Sequence, residues 1–300
     1  EPLSLSERPQ NRCVQLDAGT ELWLRQHADI CPPLQREHSN EDDVNSAVEL
    51  YLQAGKDGRP LTMLVELIAQ IVSKSAEQQL RTEEQLGYIV WCTLRHDAGV
   101  VGLRVIIQSS SRDAQYLDER IEAFLETVPS LIEELAPDDF ADYRQALVDM
   151  KLEKDKRLRE ETARWWQEIV PHATRDFERS ARDADVLTKL TQPQVLECWQ
   201  THFARESKTR RKISSQTFAP HHALPPPPSA PHIVLLDALE DQLAYKRSLA
   251  LWPAPGAGWP RTSPTESLPD RAPAAPPPPA PAAAGALPAP PTCGPALASS

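Results

Sequence analysis

Apolar side chains at Leu64, Leu67, Ile68, Ile71 and Val72 recur at the three-and-four spacing that lines one face of a helix, which predicts an α-helix over Leu61 to Gln79. The pattern then changes period. Tyr88 to Arg95 is rich in aromatic and β-branched residues, and Val101, Leu103, Val105 and Ile107 alternate through Val100 to Ser109. Both runs predict strands, and the short link His96-Asp97-Ala98-Gly99 predicts a hairpin between them. Gly87 sits at the helix-to-strand join, where a helix end often needs a left-handed residue that glycine adopts at little cost. Upstream, Ser46 to Ala54 alternates Val48, Leu50 and Leu52 with polar partners, as a half-buried strand does. Val14, Leu16, Leu22 and Leu24 around Asp17-Ala18-Gly19 predict two strands and a tight turn over Arg12 to Arg25. Pro32 to Asp43 reads as a charged loop.

The second half of the pattern is helical. Leu117, Ile121, Phe124, Leu125 and Val128 form one stripe in Gln115 to Glu134, with Pro129 expected to break or kink it. Pro137 opens a long helix predicted over Asp138 to Val170. Its middle, Lys151 to Glu161, interleaves charges as a solvated face does, and Trp165 and Trp166 are expected to anchor its end. Two shorter helices follow, over Phe177 to Leu190 and Gln194 to Arg205, with Thr191 supplying a cap. Lys208 to Phe218 reads as a last strand. Residues 219–231, with four consecutive prolines from Pro225, form a polyproline linker, and Ile233 to Leu251 reads as a docking helix.

Composition narrows this picture. Residues 253–300 are dominated by Pro and Ala, which cannot build a core and predict a disordered tail. Residues 1–252 suffice for a single α+β domain. Arg261 and Arg271 balance Glu266 and Asp270, so the formal charge of −11 lies wholly in that domain, which argues against nucleic acid as a partner. No apolar run is long enough to span a bilayer, so no membrane partner is expected. The five cysteines, Cys13, Cys31, Cys92, Cys198 and Cys293, are too scattered for a redox or metal pair. They suit reduced thiols and a cytoplasmic location, with Cys92 as a small buried hydrophobe. Without an initiating Met or a leader, the chain is expected to be a fragment that opens at Glu1.

Candidate chemistry concentrates at the helix-to-strand join. Arg81 is a fixed cation, and Tyr88 can donate or accept a hydrogen bond. On residues alone, Arg81 could equally be a surface ion-pair partner and Tyr88 a half-buried strand tyrosine. The eight histidines supply neither H-x-x-E-H nor H-E-x-x-H. His202 has Glu206 four residues on but no second histidine at ligand spacing, and His221-His222 lies in the linker. No catalytic residue and no metal ligand is therefore expected in this chain.

Leu80-Arg81-Thr82-Glu83-Glu84-Gln85-Leu86-Gly87-Tyr88-Ile89-Val90 resembles a segment in the C-terminal half of the insulin-degrading-enzyme-like M16 metallopeptidases, the inverzincins. The likeness continues through Gly102 to Ser109, Tyr116-Leu117 and Arg120 to Leu125, fades through Lys154 to Ile169 and Thr188 to Thr191, and returns at Tyr245-Lys246-Arg247. Glu83 departs from the lysine common there, a surface charge reversal. The resemblance implies an M16 peptidase-like domain, an antiparallel-rich mixed sheet packed by several long helices. It implies a zinc metalloendopeptidase in which an N-terminal half, absent here, holds the zinc in cis or in trans. Arg81 and Tyr88 would then reach the substrate backbone near the scissile carbonyl. The partners expected are a peptide substrate, that N-terminal half and, in some assemblies, a second copy. Two alternatives stay open: a non-catalytic M16-fold subunit that binds peptides or a partner, and a truncated gene product without activity.

Overall fold

The computed structural model describes residues 12–27, 43–169 and 176–253. Six strands form one mixed sheet: β1 (Thr20–His27), β2 (Ser46–Lys56), β3 (Ile89–Asp97), β4 (Val100–Ser109), β5 (Arg211–Phe218) and β6 (Ile233–Leu236), in the order β3-β4-β2-β5-β1-β6. The first four in that order run antiparallel to one another in succession, whereas β1 lies parallel to both β5 and β6. The helices are α1 (Arg59–Ala76), α2 (Ala114–Leu125), α3 (Val128–Glu133), α4 (Pro137–Leu152), α5 (Leu158–Ile169), α6 (Arg179–Leu187), α7 (Gln192–His202) and α8 (Leu239–Ser248). Helices α1 and α2 lie against the sheet; α4 and α6 pack on α1, and α3 packs on α7. The α+β class expected from the pattern is the one observed.

The core follows the alternation. Val48, Leu50 and Leu52 of β2 and Val101, Leu103, Val105 and Ile107 of β4 are buried against Leu67, Ile68, Ile71 and Val72 of α1. Removing such apolar surface from water gives about 25 cal/mol per Å², the main favourable contribution to folding. The hairpin is as expected: Ala98 (φ 45°) and Gly99 (φ 78°) both take left-handed conformations, as a two-residue turn of this twist requires. Thr191 caps α7 in a reciprocal box with Gln194. The predicted helix over 115–134 divides at Glu126-Thr127, just before Pro129.

Four expectations change. Residues 12–16 do not pair with β1 as a hairpin. Instead Leu16 N–H donates to Gln53 Oε1 and Gln53 Nε2 donates to the Val14 carbonyl, which ties this segment to β2. Ile233–Leu236 is a strand rather than the start of a helix, because four apolar residues in a row have no period of their own and β1 offers a free edge. The helix predicted over 138–170 divides into α4 and α5. No apolar residue lies between Leu152 and Leu158 to hold a continuous helix against the body, and a helix without packing is marginal in water. The interleaved charges do pair across this break, Lys156 with Glu153 and Arg164 with Asp155, each at 2.6 Å. Trp165 packs edge-on against Phe177 with ring centroids 5.4 Å apart, but Trp166 points to solvent. The loop expected over Pro32 to Asp43 falls, except for Asp43, outside the described residues, as does the tail after Pro253.

Polar residues also lie in the core. On β5, Lys212 is 1% exposed and its Nζ sits 2.9 Å from Asp118, 2.8 Å from Glu122 and 3.2 Å from Glu21. Arg210 pairs with Glu122 at 2.7 Å and Glu21 at 3.2 Å. Ser214 Oγ donates to Asp118 at 2.5 Å, and Gln216 links Ser214 to Arg25. Burial pushes the Asp118 carboxyl up. Burial acts the same way on Glu122, but Lys212 and Arg210 outweigh it and hold that group below the usual carboxylate range. Lys212 is raised because its three carboxylates overcome desolvation.

A second cluster closes the far end of the hairpin. Asp57 accepts from Thr62 Oγ1 at 2.5 Å, and its other oxygen lies 3.0 Å from His96 Nε2. Burial alone would raise the Asp57 carboxyl, yet these hydrogen bonds and the charges of His96 and Arg179 hold it at about 2. A depressed carboxylate stabilises the fold above its unfolded-state value near 4 and ceases to do so as pH falls through the folded value. The advantage of the natural protein over Asp57→Asn, about 2 kcal/mol at pH 6, is therefore expected to shrink between pH 4 and pH 2. Urea unfolding of both proteins across that range checks it; a constant difference contradicts the assignment.

Candidate functional site

The segment after α1 carries the site. Residues Glu77–Glu83 form a π-helical turn that continues directly from α1, in place of the last helical turn expected up to Gln79. The chain closes through Glu84 N–H to the Gln79 carbonyl (2.9 Å) and Leu86 N–H to the Leu80 carbonyl (3.0 Å). Leu80 and Leu86 are both buried and pin the turn to the core. Such widened turns recur at functional sites because they re-aim side chains without ending the helix.

The left-handed residue at the join is Gln85 (φ 51°), not Gly87. Glycine is needed at position 87 for a different reason: a Cβ there would run into the backbone carbonyl of Gln108 on β4. The close approach brings the start of β3 against β4, with Ile89 opposite Gln108. Glu84 fixes the other side. It accepts a bidentate pair from Arg120 at 2.7 and 2.8 Å and a third bond from Gln79 Nε2 at 2.9 Å. The Arg120 interaction holds the Glu84 carboxyl below its ordinary range.

Arg81 and Tyr88 come together on this frame. The guanidinium carbon lies 4.7 Å from the Tyr88 ring centroid, a cation–π stack. Arg81 Nη1 also pairs with Glu77 at 2.6 Å, one helical turn back. Tyr88 is 82% exposed, so its hydroxyl points to solvent and it is not the half-buried strand tyrosine that the residues alone allowed. The surface ion pair expected as the alternative for Arg81 does exist, but in addition to the stack. Glu77 and Arg120 were not singled out in the sequence. The four-residue spacing from Glu77 to Arg81 was a local signal for the first; nothing local marks Arg120, which lies 36 residues from Glu84.

Glu77 also lines a groove of about 490 Å³ between α1, the outer strand β3 and α4, with Lys74, Thr93, Tyr143 and Met150. A groove of about 700 Å³ lies on the sheet face away from α1 and α2, lined by Cys13, Tyr51, Gln53, Arg95 and Lys246 among others. Neither Arg81 nor Tyr88 borders it.

No set of three His, Cys, Asp or Glu side chains among the described residues converges as metal ligands, so they do not fit a zinc site. His222 Nδ1 lies 3.0 Å from Ser46 Oγ, which anchors the linker to β2. Burial raises the Cys92 and Cys198 thiols to about 12 and keeps them protonated, the inert state expected of Cys92. Among the described residues, no helix is long and apolar enough to cross a membrane.

Comparison with known proteins gives consistent matches. Residues 67–166 match the family model described as the PQQ synthase PqqF-like C-terminal lobe domain 4. The chain is 31% identical over 221 residues to the peroxisomal insulin-degrading enzyme-like 1 of Arabidopsis thaliana, covering 74% of this chain and 22% of that protein. It is 32% identical over 226 residues to human insulin-degrading enzyme, covering 71% of this chain and 22% of that protein. In fold, it is similar to pitrilysin with a TM-score of 0.68 and 20% identity, over 83% of this chain and 25% of that one. The chain thus spans about a fifth of the length of the curated relatives it matches.

Proposed function

Because the chain is a C-terminal portion of an insulinase-like M16 peptidase, we propose that it forms the substrate-enclosing wall of a zinc endopeptidase whose N-terminal half holds the metal. Its own contribution is the Arg81–Tyr88 pair. The observation that carries this reading is the stack itself: two side chains seven positions apart are held together, with the phenol exposed, at a turn braced by Glu84 and Arg120.

An extended peptide brought against this turn meets one guanidinium and one phenol hydroxyl. As water adds to the scissile carbonyl, negative charge grows on its oxygen. Donors already in place stabilise that charge more than they stabilise the neutral carbonyl, and the difference lowers the barrier. Glu77 holds the guanidinium over the ring until the substrate oxygen competes for it. The groove bordered by Glu77 gives the adjoining peptide residues a place to lie. A reducing, cytosol-like compartment suits the free thiols of Cys13, Cys92 and Cys198.

The test uses the 300-residue chain alone. Metal analysis after exposure to zinc and a fluorogenic-peptide assay are expected to give neither stoichiometric zinc nor cleavage. Tight one-to-one zinc binding coupled to proteolysis by this chain would overturn the division of labour.

A further inference from the structure

Residues 219–231 lead from β5 to β6 past β1, which lies between them in the sheet, and the proposed reaction makes no use of their four consecutive prolines. Each proline fixes φ at about −65°, and each residue before a proline is held to an extended ψ. Leu224 to Pro227 therefore have little open to them but the polyproline II conformation, a left-handed helix of roughly three residues per turn. The burial of the segment has that period. His222, Pro225 and Pro228 are half-buried, whereas Ala223, Leu224, Pro226, Pro227 and Ser229 are exposed. One ridge of this three-sided rod rests on the domain. The other two, Leu224 with Pro227 and Ala223 with Pro226 and Ser229, face solvent.

The strap is held at its middle and at both ends. Arg25 Nη1 donates to the carbonyls of Pro225 (3.2 Å) and Pro226 (3.4 Å), while Gln216 and Gln115 accept from its other nitrogens. Ser46 Oγ accepts the Ala219 N–H and meets His222 Nδ1, both at 3.0 Å. At the far end the chain enters β6, which pairs with β1. A segment already in its bound conformation gives up little entropy when a partner takes it.

We propose that residues 223–229 are a ligand for a polyproline-recognition domain, one whose groove is lined by aromatic rings. Such a groove closes over two ridges of the rod and leaves the third free, and here the third is the ridge that rests on the domain. Charge narrows the partner. No Lys or Arg occurs in sequence between Lys212 and Lys246, so a groove that adds an acidic rim to its rings finds no basic residue in the segment. The complement is an uncharged groove in which the prolines stack on Trp and Tyr faces and Leu224, 42% exposed, fills an apolar slot beside them. WW domains present a groove of this kind.

The test titrates the full 300-residue chain into a fluorescently labelled WW domain of the class that takes uninterrupted prolines, with binding read by anisotropy. The natural chain is expected to bind, with an affinity that changes less than about twofold between about 0.1 M and 1 M salt. Pro226→Ala together with Pro227→Ala keeps the carbonyl that Arg25 holds and both half-buried prolines. It is expected to weaken binding at least about tenfold while leaving the melting temperature of the chain unchanged. Leu224→Asp, at an exposed position, gives an independent reading and should weaken binding as well. A second run of four prolines, Pro276 to Pro279, serves as the control: Pro277→Ala with Pro278→Ala should bind as the natural chain does. No binding by the natural chain, or equal binding by both strap variants, would overturn the proposal. So would loss of binding in the Pro277, Pro278 variant alone, or an affinity that falls steeply with salt.

Discussion

In the complete enzyme, Arg81→Ala is expected to lower peptide turnover at least tenfold. Removing a donor that acts mainly in the transition state costs about 3–4 kcal/mol at the upper end, a factor of about 10² to 10³. The loss should fall on kcat and kcat/KM together if, as proposed, the guanidinium strengthens its hold as charge develops rather than on first contact. Tyr88→Phe removes the hydroxyl but keeps the ring on which Arg81 stacks at 4.7 Å. It separates the hydrogen bond from the stack, and a tenfold loss is expected from it too. Arg81→Lys keeps the charge but loses the planar fork, so it should recover only part of the activity. Steady-state kinetics on the three variants check the assignment; unchanged turnover in both Arg81→Ala and Tyr88→Phe would remove these residues from the reaction.

The second large effect concerns stability. Lys212→Met should destabilise the fold by about 3–5 kcal/mol, the usual cost of leaving a buried ion without its partner. Lys212 neutralises Asp118 and Glu122 between β5 and α2, with Glu21 at the rim. Its removal leaves Glu122 and Glu21 to Arg210, and leaves Asp118 with the Ser214 hydroxyl but no cation. A fall in Tm on the order of 10 °C is expected. Lys212→Met combined with Asp118→Asn should recover a substantial share, because the neutral amide no longer needs a counter-ion. Thermal unfolding of the natural protein and both variants measures this; a double variant no more stable than Lys212→Met would show that Lys212 acts through packing rather than charge.

These two sites were unequally legible in the sequence. Around Arg81 the information is local. The helical stripe of α1, the β-branched run of β3 and the Asp-Ala-Gly turn each favour one conformation at short range, and the strand Val100–Ser109 begins and ends where its alternation does. What local pattern missed is the π-helical turn and the left-handed Gln85. Both are set by tertiary restraints: the burial of Leu80 and Leu86, the Arg120 clamp on Glu84 and the close approach of Gly87 to Gln108. The Lys212 cluster was hidden for a similar reason. Residues 211–218 alternate Lys212, Ser214 and Gln216 on one face, which a pattern of apolar positions scores as solvent-facing. Those residues are buried only because α2, whose Asp118 lies 94 residues before Lys212 in sequence, brings matching carboxylates to them. The division between α4 and α5 also depends on what the helix packs against, which its charged middle did not reveal.

The most direct measurement is peptide cleavage by the zinc-bearing N-terminal half mixed with this chain, in its natural form and as the Arg81→Ala, Tyr88→Phe double variant. The natural chain should restore turnover that neither part has by itself, and the double variant should bind equally well yet restore little of it. Equal turnover with both forms, or full turnover by the N-terminal half without this chain, would contradict the account.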